Sequence, residues 1–159
     1  VQGAAMGGGV GLVSCCDFAI GTASTKLALT EVKLGMVPAT ISPYVVMPIG
    51  EKAARRLFMT GQPVKGEDAL TLGFLSQVVA EEQLDSAVET LAENLLKNAP
   101  AAVTLAKQLA IDVAAGDIND ALIASTIKVI ADVRDSDEGR EGLSAFLEKR
   151  APAWLASSD

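Results

Sequence analysis

The chain has 159 residues, half of them hydrophobic and only 4% aromatic, with a formal net charge of −7. That composition supplies one core of small and branched aliphatics, and the acidic balance argues against a nucleic-acid surface. No histidine is present, which removes Ser-His-Asp and Cys-His catalysis and most zinc chemistry from this chain. Acid–base work therefore falls to carboxylates, lysines or the single tyrosine, Tyr44. The negative excess is late in the chain: residues 1–80 carry six basic and five acidic groups, residues 81–159 seven basic and fifteen acidic. The uncharged stretches Val1 to Cys16 and Leu34 to Gly50 are broken by glycine or proline and are short for a bilayer, and no basic residues precede the first. Neither a membrane span nor a signal peptide is expected.

Val1 opens directly on an apolar strand-like run with no polar lead-in, as expected for the back part of a longer protein. Val1 to Ala5 predicts a buried strand and Gly8 to Cys16 a short helix ending before Asp17. Cys15 and Cys16 are adjacent and so point in different directions on a helix, which implies neither a redox pair nor a metal site. They read as buried packing thiols in a reducing compartment, a cytoplasm or a mitochondrial matrix. Phe18 to Ala23 and Lys26 to Leu29 have the length and flanks of two strands. Gly35-Met36-Val37-Pro38 breaks the chain, and Ser42-Pro43 opens a helix. Helices are then expected over Glu51 to Met59 and Gly66 to Leu72, with a β-type run at Ser76 to Ala80.

Between Glu81 and Asn98, Leu84, Val88, Leu91 and Leu95 recur at steps of four, three and four, an amphipathic helix that Asn98-Ala99-Pro100 terminates. Ala101 to Ala115 is helical by propensity but apolar on nearly every side, as at a subunit contact. Ile118 to Val133 places Leu122, Ile123, Ile127 and Ile130 on one face. A charged break from Arg134 to Arg140 then leads to a last helix, Glu141 to Arg150. Short β-type runs alternating with helices, followed by helices only, indicate α/β with a helical extension. The expected division is 1–98 and 99–159.

Two features carry chemistry. Gly7-Gly8-Gly9 lies between a strand and a helix, where backbone N–H groups are open to a substrate oxygen and the helix dipole favours negative charge. A phosphate or a developing oxyanion fits such a turn. Gly9-Val10-Gly11 lacks the third small residue of a dinucleotide fingerprint, since position 14 is Ser14, and no Lys-Ser or Lys-Thr follows as in a P-loop. The glycines are equally compatible with a helix crossing closely over a strand. Glu31, at the end of a β-type run before the chain break, is the candidate acid–base group. It also fits a first-turn glutamate at a helix dipole, or a solvated partner of Lys33.

The segment V-Q-G-A-A-M-G-G-G-V-G-L-V-S-C-C-D, followed by L-A-L-T-E-V-K-L-G-M-V-P, resembles the enoyl-CoA hydratase/isomerase (crotonase) family. So do M-T-G-Q-P-V-K-G-E-D-A-L-T-L-G-F-L-S-Q-V-V and the terminal E-G-L-S-A-F-L-E-K-R. The resemblance covers essentially the whole chain but only the second half or somewhat more of such a subunit. It implies a crotonase-like ββα spiral, incomplete at its start, followed by helices that pack subunits into trimers or dimers of trimers. It implies an acyl-CoA substrate and no metal or cofactor beyond the coenzyme A of that substrate.

By that resemblance Gly8 supplies one of two oxyanion N–H donors for the thioester, and Glu31 is the catalytic glutamate. Typical hydratases carry a second glutamate where this chain has Gly11, so a double-bond isomerase is the alternative within the family, and a non-catalytic acyl-CoA-binding subunit the alternative outside catalysis. The A-T-I-S-P-Y loop resembles hydratases of branched methylglutaconyl-CoA or carboxygeranoyl-CoA type. Gly7, Gly11, Pro38, Ser42 and Tyr44 are then candidate substrate contacts, and Phe146 and Lys149 candidate contacts of the coenzyme A nucleotide. Ser42 also reads as a helix N-cap, Tyr44 and Phe146 as core aromatics, and Lys149 as a solvated side chain.

Overall fold

Runs of small and branched residues bounded by glycine or turn residues form five short strands, while longer amphipathic runs form seven helices, in the computed structural model that describes residues 1–155. In chain order these are β1 (Ala4–Met6), α1 (Gly8–Ser14), β2 (Ile20–Thr22), β3 (Lys26–Ala28), α2 (Ser42–Thr60), β4 (Val64–Lys65), α3 (Gly66–Leu72), β5 (Gln77–Val79), α4 (Leu84–Leu96), α5 (Pro100–Ala114), α6 (Asp120–Asp135) and α7 (Asp137–Glu148). Two compact units divide within α4: Val1–Glu89 and the residues from Thr90 onward. This is the expected α/β arrangement with helices following.

In the first unit the five strands form two small sheets. One has the order β1-β3-β4 and the other pairs β2 with β5. β1 and β3 are parallel, with Ala4 opposite Lys26, Ala5 opposite Leu27 and Met6 opposite Ala28. β2 and β5 are also parallel, whereas β3 and β4 are antiparallel. Val10, Leu27, Leu29, Val45, Leu57, Val64, Phe74 and Leu75 form the core. Each such aliphatic or aromatic side chain stabilises the unit by about 1.5–3 kcal/mol on burial. β4 was not expected: its two residues are too few for a periodic signal, and only pairing with β3 makes them a strand.

Helix α2 contains the interruption that Gly50 led one to expect. Gly50 has φ 75° and ψ 161°, and Pro48 lies just before it, so the segment is two helical pieces joined at a kink with an identifiable cause. Cys15 and Cys16 correct an expectation, because both are exposed. Helix α1 buries only Val10 and Gly11 and ends at Ser14, so the thiols fall past its last turn.

The second unit is organised by side-chain caps. Asn119 Oδ1 accepts from Leu122 N at 2.9 Å at the start of α6. Ser136 Oγ accepts from Gly139 N at 3.1 Å at the start of α7. The expected charged break from Arg134 to Arg140 is therefore only the one residue Ser136, which ends α6 and caps α7. The cap satisfies an orphan donor and lets the charged residues continue as helix. The carboxylate of Glu138 accepts from Ala101 N at 3.1 Å and Ala102 N at 2.9 Å, so a side chain of α7 caps the first turn of α5.

Past α7, the Arg150 guanidinium binds both oxygens of Glu141 at 2.6 and 2.9 Å, and Ala153 N adds a third donor at 2.8 Å. These hydrogen bonds hold Glu141 well below the ordinary carboxylate value of 4.5, at about 2, the largest cause being Arg150. A depressed folded-state value means that this contribution to stability is complete above the unfolded carboxylate range and is lost as pH falls through the folded one. Thermal melting is therefore expected to fall between pH 5 and pH 2. Glu141→Gln should flatten part of that fall, and an unchanged profile in this variant would remove the assignment.

Candidate active site

The parallel register of β1 and β3 brings the two chemical features of the sequence to one sheet edge. One residue past the end of β1, Gly7 N donates to Ala28 O at 2.9 Å. Three residues past Ala28, Glu31 begins a 3-10 turn (Glu31–Leu34) that Gly35 closes in the left-handed conformation at φ 71°. Carboxyl ends of parallel strands are where open α/β sheets expose their loops to ligands. Glu31 is thus the first residue of a turn rather than the last of a strand. It makes no hydrogen bond or ion pair with Lys33 among the described residues.

Gly7 has φ 50° and ψ −116°, a region closed to residues with a Cβ. Its missing side chain is replaced by the glutamate: a Cβ at Gly7 would lie 3.2 Å from Glu31 Oε1. The other oxygen, Oε2, is buried with no hydrogen-bond partner among the described residues. An unpartnered buried carboxylate oxygen is costly in a folded chain and needs a reason for being there. The next residue, Gly8, is exposed and has open space around its Cβ position. As the first residue of α1 it has no intrahelical acceptor for its N–H. Helix α1 has only seven residues, so the N–H itself, more than a long helix dipole, is what the turn offers.

One turn further along α1, Gly11 is buried and its N donates to Gly7 O at 3.4 Å. A Cβ there would stand 2.5 Å from Ile41 Cγ2 and 2.8 Å from Ile41 Cβ. Gly7, the N-cap of α1, has non-helical φ and ψ, and Glu31 and Ile41 approach the chain at two separate glycines, Gly7 and Gly11. Ile41 was not singled out from the sequence, because an isolated aliphatic in a loop carries no local signal. Only the collision with a Cβ at Gly11 reveals it.

The other expected contacts are placed as follows. Pro38 is buried. Ser42 is the first helical residue of α2 and not its cap; Ile41 is the N-cap, and Ser42 Oγ donates to Ala39 O at 2.8 Å. Tyr44 is 53% exposed, which corrects its reading as a core aromatic. In the second unit Phe146 is 80% exposed, again not a core position. Lys149 is the C-cap of α7 and the only non-glycine residue with positive φ among those described, at 56°. No helix among the described residues is long and apolar enough to cross a membrane.

A carboxylate packed on a glycine turn, in the same α/β unit as an exposed main-chain N–H, offers the kinds of group that carbonyl-oxygen binding and proton transfer use. The chain belongs to the enoyl-CoA hydratase/isomerase family, whose model matches residues 1–157. It is similar to the (E)-benzylidenesuccinyl-CoA hydratase of Thauera aromatica, with 31% identity over 97% of this chain and 60% of that protein. It is also similar to the mitochondrial enoyl-CoA hydratase domain-containing protein 3 of Xenopus laevis, with 31% identity over 99% of this chain and 53% of that protein. The crystal structure of an enoyl-CoA hydratase from Shewanella pealeana superposes with a TM-score of 0.91 at 41% identity, covering 97% of this chain and 57% of that one. The fold is therefore crotonase-like, and this chain spans between about half and three-fifths of the length of the curated relatives it matches.

Gly7→Ala is expected to cost about 1–2 kcal/mol in chemical denaturation, because a Cβ must adopt the left-handed side of φ and meet the Glu31 carboxylate. Lys149→Gly should act in the opposite direction, raising stability by about 1 kcal/mol, because glycine carries no steric penalty at a left-handed helix end.

Proposed function

We propose that this chain carries the proton-transferring part of an acyl-CoA enzyme that hydrates α,β-unsaturated, branched enoyl-CoA thioesters through an enolate. The observation that carries the reading is the Glu31 carboxylate lying against Gly7, next to the open N–H of Gly8. A thioester oxygen accepted at Gly8 N brings its α-carbon toward Gly7, where Glu31 exchanges a proton with it or with the water that adds at the β-carbon. Negative charge then develops on the oxygen facing the N–H, and one such donor is worth about 3 kcal/mol of transition-state stabilisation. Gly11 keeps a Cβ off the site floor, while Pro38, Ser42 and Tyr44 line the acyl side. That the Thauera aromatica relative is an (E)-benzylidenesuccinyl-CoA hydratase supports this choice.

Double-bond isomerisation is the second reading, favoured by the absence of any side chain at Gly11. In that reaction Glu31 takes a proton from one carbon and returns it to another, with no water consumed. In either case coenzyme A is part of the substrate, and no separate cofactor or metal takes part. Phe146 and Lys149 are assigned to the coenzyme A nucleotide, Lys149 as a point charge for phosphate.

Assembly as a trimer or dimer of trimers belongs to the same proposal. It is supported by the apolar side chains that α5 and α6 leave exposed, among them Leu105, Ile111, Ile127 and Ile130. The mass of the complete protein in solution tests it, and a strict monomer would contradict it.

Glu31→Gln in the complete protein should lower turnover of enoyl-CoA thioesters by about 10²–10⁴-fold, the usual contribution of a positioned acid–base group, with thermal melting nearly unchanged. Turnover equal to that of the unaltered protein would sink the assignment. Oxygen from labelled water in the product selects hydration, and a moved double bond without it selects isomerisation.

A further inference from the structure

We propose that Glu141 and Arg150 are positioning residues for coenzyme A binding: with Trp154 they form a C-terminal clasp that holds Lys149 in a left-handed turn and so fixes where its ammonium group points. The inference rests on the assignment of Lys149 to the coenzyme A nucleotide. Its own basis is the backbone at the end of α7. Lys149 has φ 56° and ψ 37°, at a position where helices most often carry glycine. A side chain meets a steric penalty there, and such penalties persist only where the surroundings impose the conformation, as they do at ligand clamps.

The surroundings impose it from both sides of the turn. Lys149 N donates to Phe146 O at 3.3 Å and Arg150 N to Ala145 O at 3.0 Å, which reverses the chain against α7. Beyond the reversal, the Arg150 guanidinium reaches back to both oxygens of Glu141, and its Nε donates to Glu148 Oε2 at 2.7 Å. Ala153 N donates to Glu141 as well. Trp154 Nε1 donates to Lys97 O at 3.2 Å, just past the end of α4, and its ring covers Gly142, where a Cβ would stand 3.1 Å from Cη2. Arg150 thus occupies the carboxylates of both Glu141 and Glu148. Lys149 is exposed and makes no ion pair among the described residues, so its charge is left to an anion from outside the chain.

A lysine already directed at the nucleotide loses less freedom when the substrate docks, so the clasp strengthens binding without entering the chemical step. Charge alone predicts the reverse for one member of the clasp. Glu141 is an anion, and removing it makes the surface more favourable to a phosphate. Losing the clasp makes it less favourable. The sign of the change at Glu141 therefore separates positioning from simple electrostatics.

The test uses the complete protein with a four-carbon 2-enoyl group carried either by coenzyme A or by N-acetylcysteamine, which has no nucleotide. Glu141→Ala is expected to raise KM for the coenzyme A thioester about tenfold with kcat nearly unchanged, and to leave kcat/KM for the N-acetylcysteamine thioester within about twofold. Glu141→Gln, which still accepts a hydrogen bond from Ala153 N, should raise that KM by only about threefold, and it is the variant to read if Glu141→Ala does not fold. A KM that is unchanged or lower in these variants, or an equal loss for both thioesters, overturns the proposal. Lys149→Ala should raise KM for the coenzyme A thioester as much as Glu141→Ala does, and the two changes combined should add little to either one. If Lys149→Ala leaves that KM unchanged, the nucleotide assignment fails and takes the clasp with it. If Lys149→Ala raises it and the Glu141 variants do not, the assignment stands and the clasp alone is overturned. A complete protein that turns over neither thioester removes the acyl-CoA reading together with this one.

Discussion

The site depends on the in-register parallel pairing of β1 with β3. Met6 opposite Ala28 sets Gly7 against the end of β3, and the hydrogen bond from Gly7 N to Ala28 O carries the ladder one step beyond the strands. From that fixed point only Leu29 and Thr30 separate Ala28 from Glu31, so the carboxylate has little freedom to be anywhere but over Gly7. A slip of one residue would turn Leu27 out of the core and carry the glutamate past the glycine turn. The burial of Leu27 and Leu29 therefore fixes the chemistry as well as the core.

On this frame α1 serves as a thin floor. Its N-cap Gly7 and its buried Gly11 lack side chains, and each hollow is filled from a different segment: Gly7 by the Glu31 carboxylate, Gly11 by Ile41. The two fillings have opposite character, one ionisable and one hydrocarbon. A carboxylate with a buried, unpartnered oxygen is a poor arrangement for stability. Stability is supplied elsewhere in the unit, by close aliphatic packing of β3, α2 and α3 around Leu27, Val45, Leu57 and Ala69.

The second unit uses a different economy. Its helices leave large apolar side chains exposed and are held by carboxylates: Glu138 on backbone N–H groups of the first turn of α5, Glu141 on the Arg150 guanidinium and Ala153 N. Negative charge at helix starts is favourable in itself. Two of the acidic residues of this region, Glu138 and Glu141, thus have a structural role. The exposed isoleucines and leucines of α5 and α6 are the counterpart of that arrangement, apolar faces that this chain does not cover by itself.

Much of this was legible in the order of residues. The glycine run, the Pro-Gly breaks and the three-and-four spacing of Leu84, Val88, Leu91 and Leu95 place the longer elements within a few residues, because periodicity and backbone-restricted residues act locally. Glu31 and Gly8 stand out as candidates from spaced motifs. Other features were not readable. β4 exists only as a partner of β3, and Ser136 turned an apparent charged break into a cap. Tyr44, Phe146 and both cysteines face outward although their types suggested burial. The sequence by itself determined which groups are available to the site, a flexible glycine turn and one carboxylate with no histidine to assist it. Only the tertiary structure decided what stands next to them, because the contacts of Glu31 with Gly7 and of Ile41 with Gly11 join segments separated in the chain through strand register and helix packing, neither of which leaves a local mark.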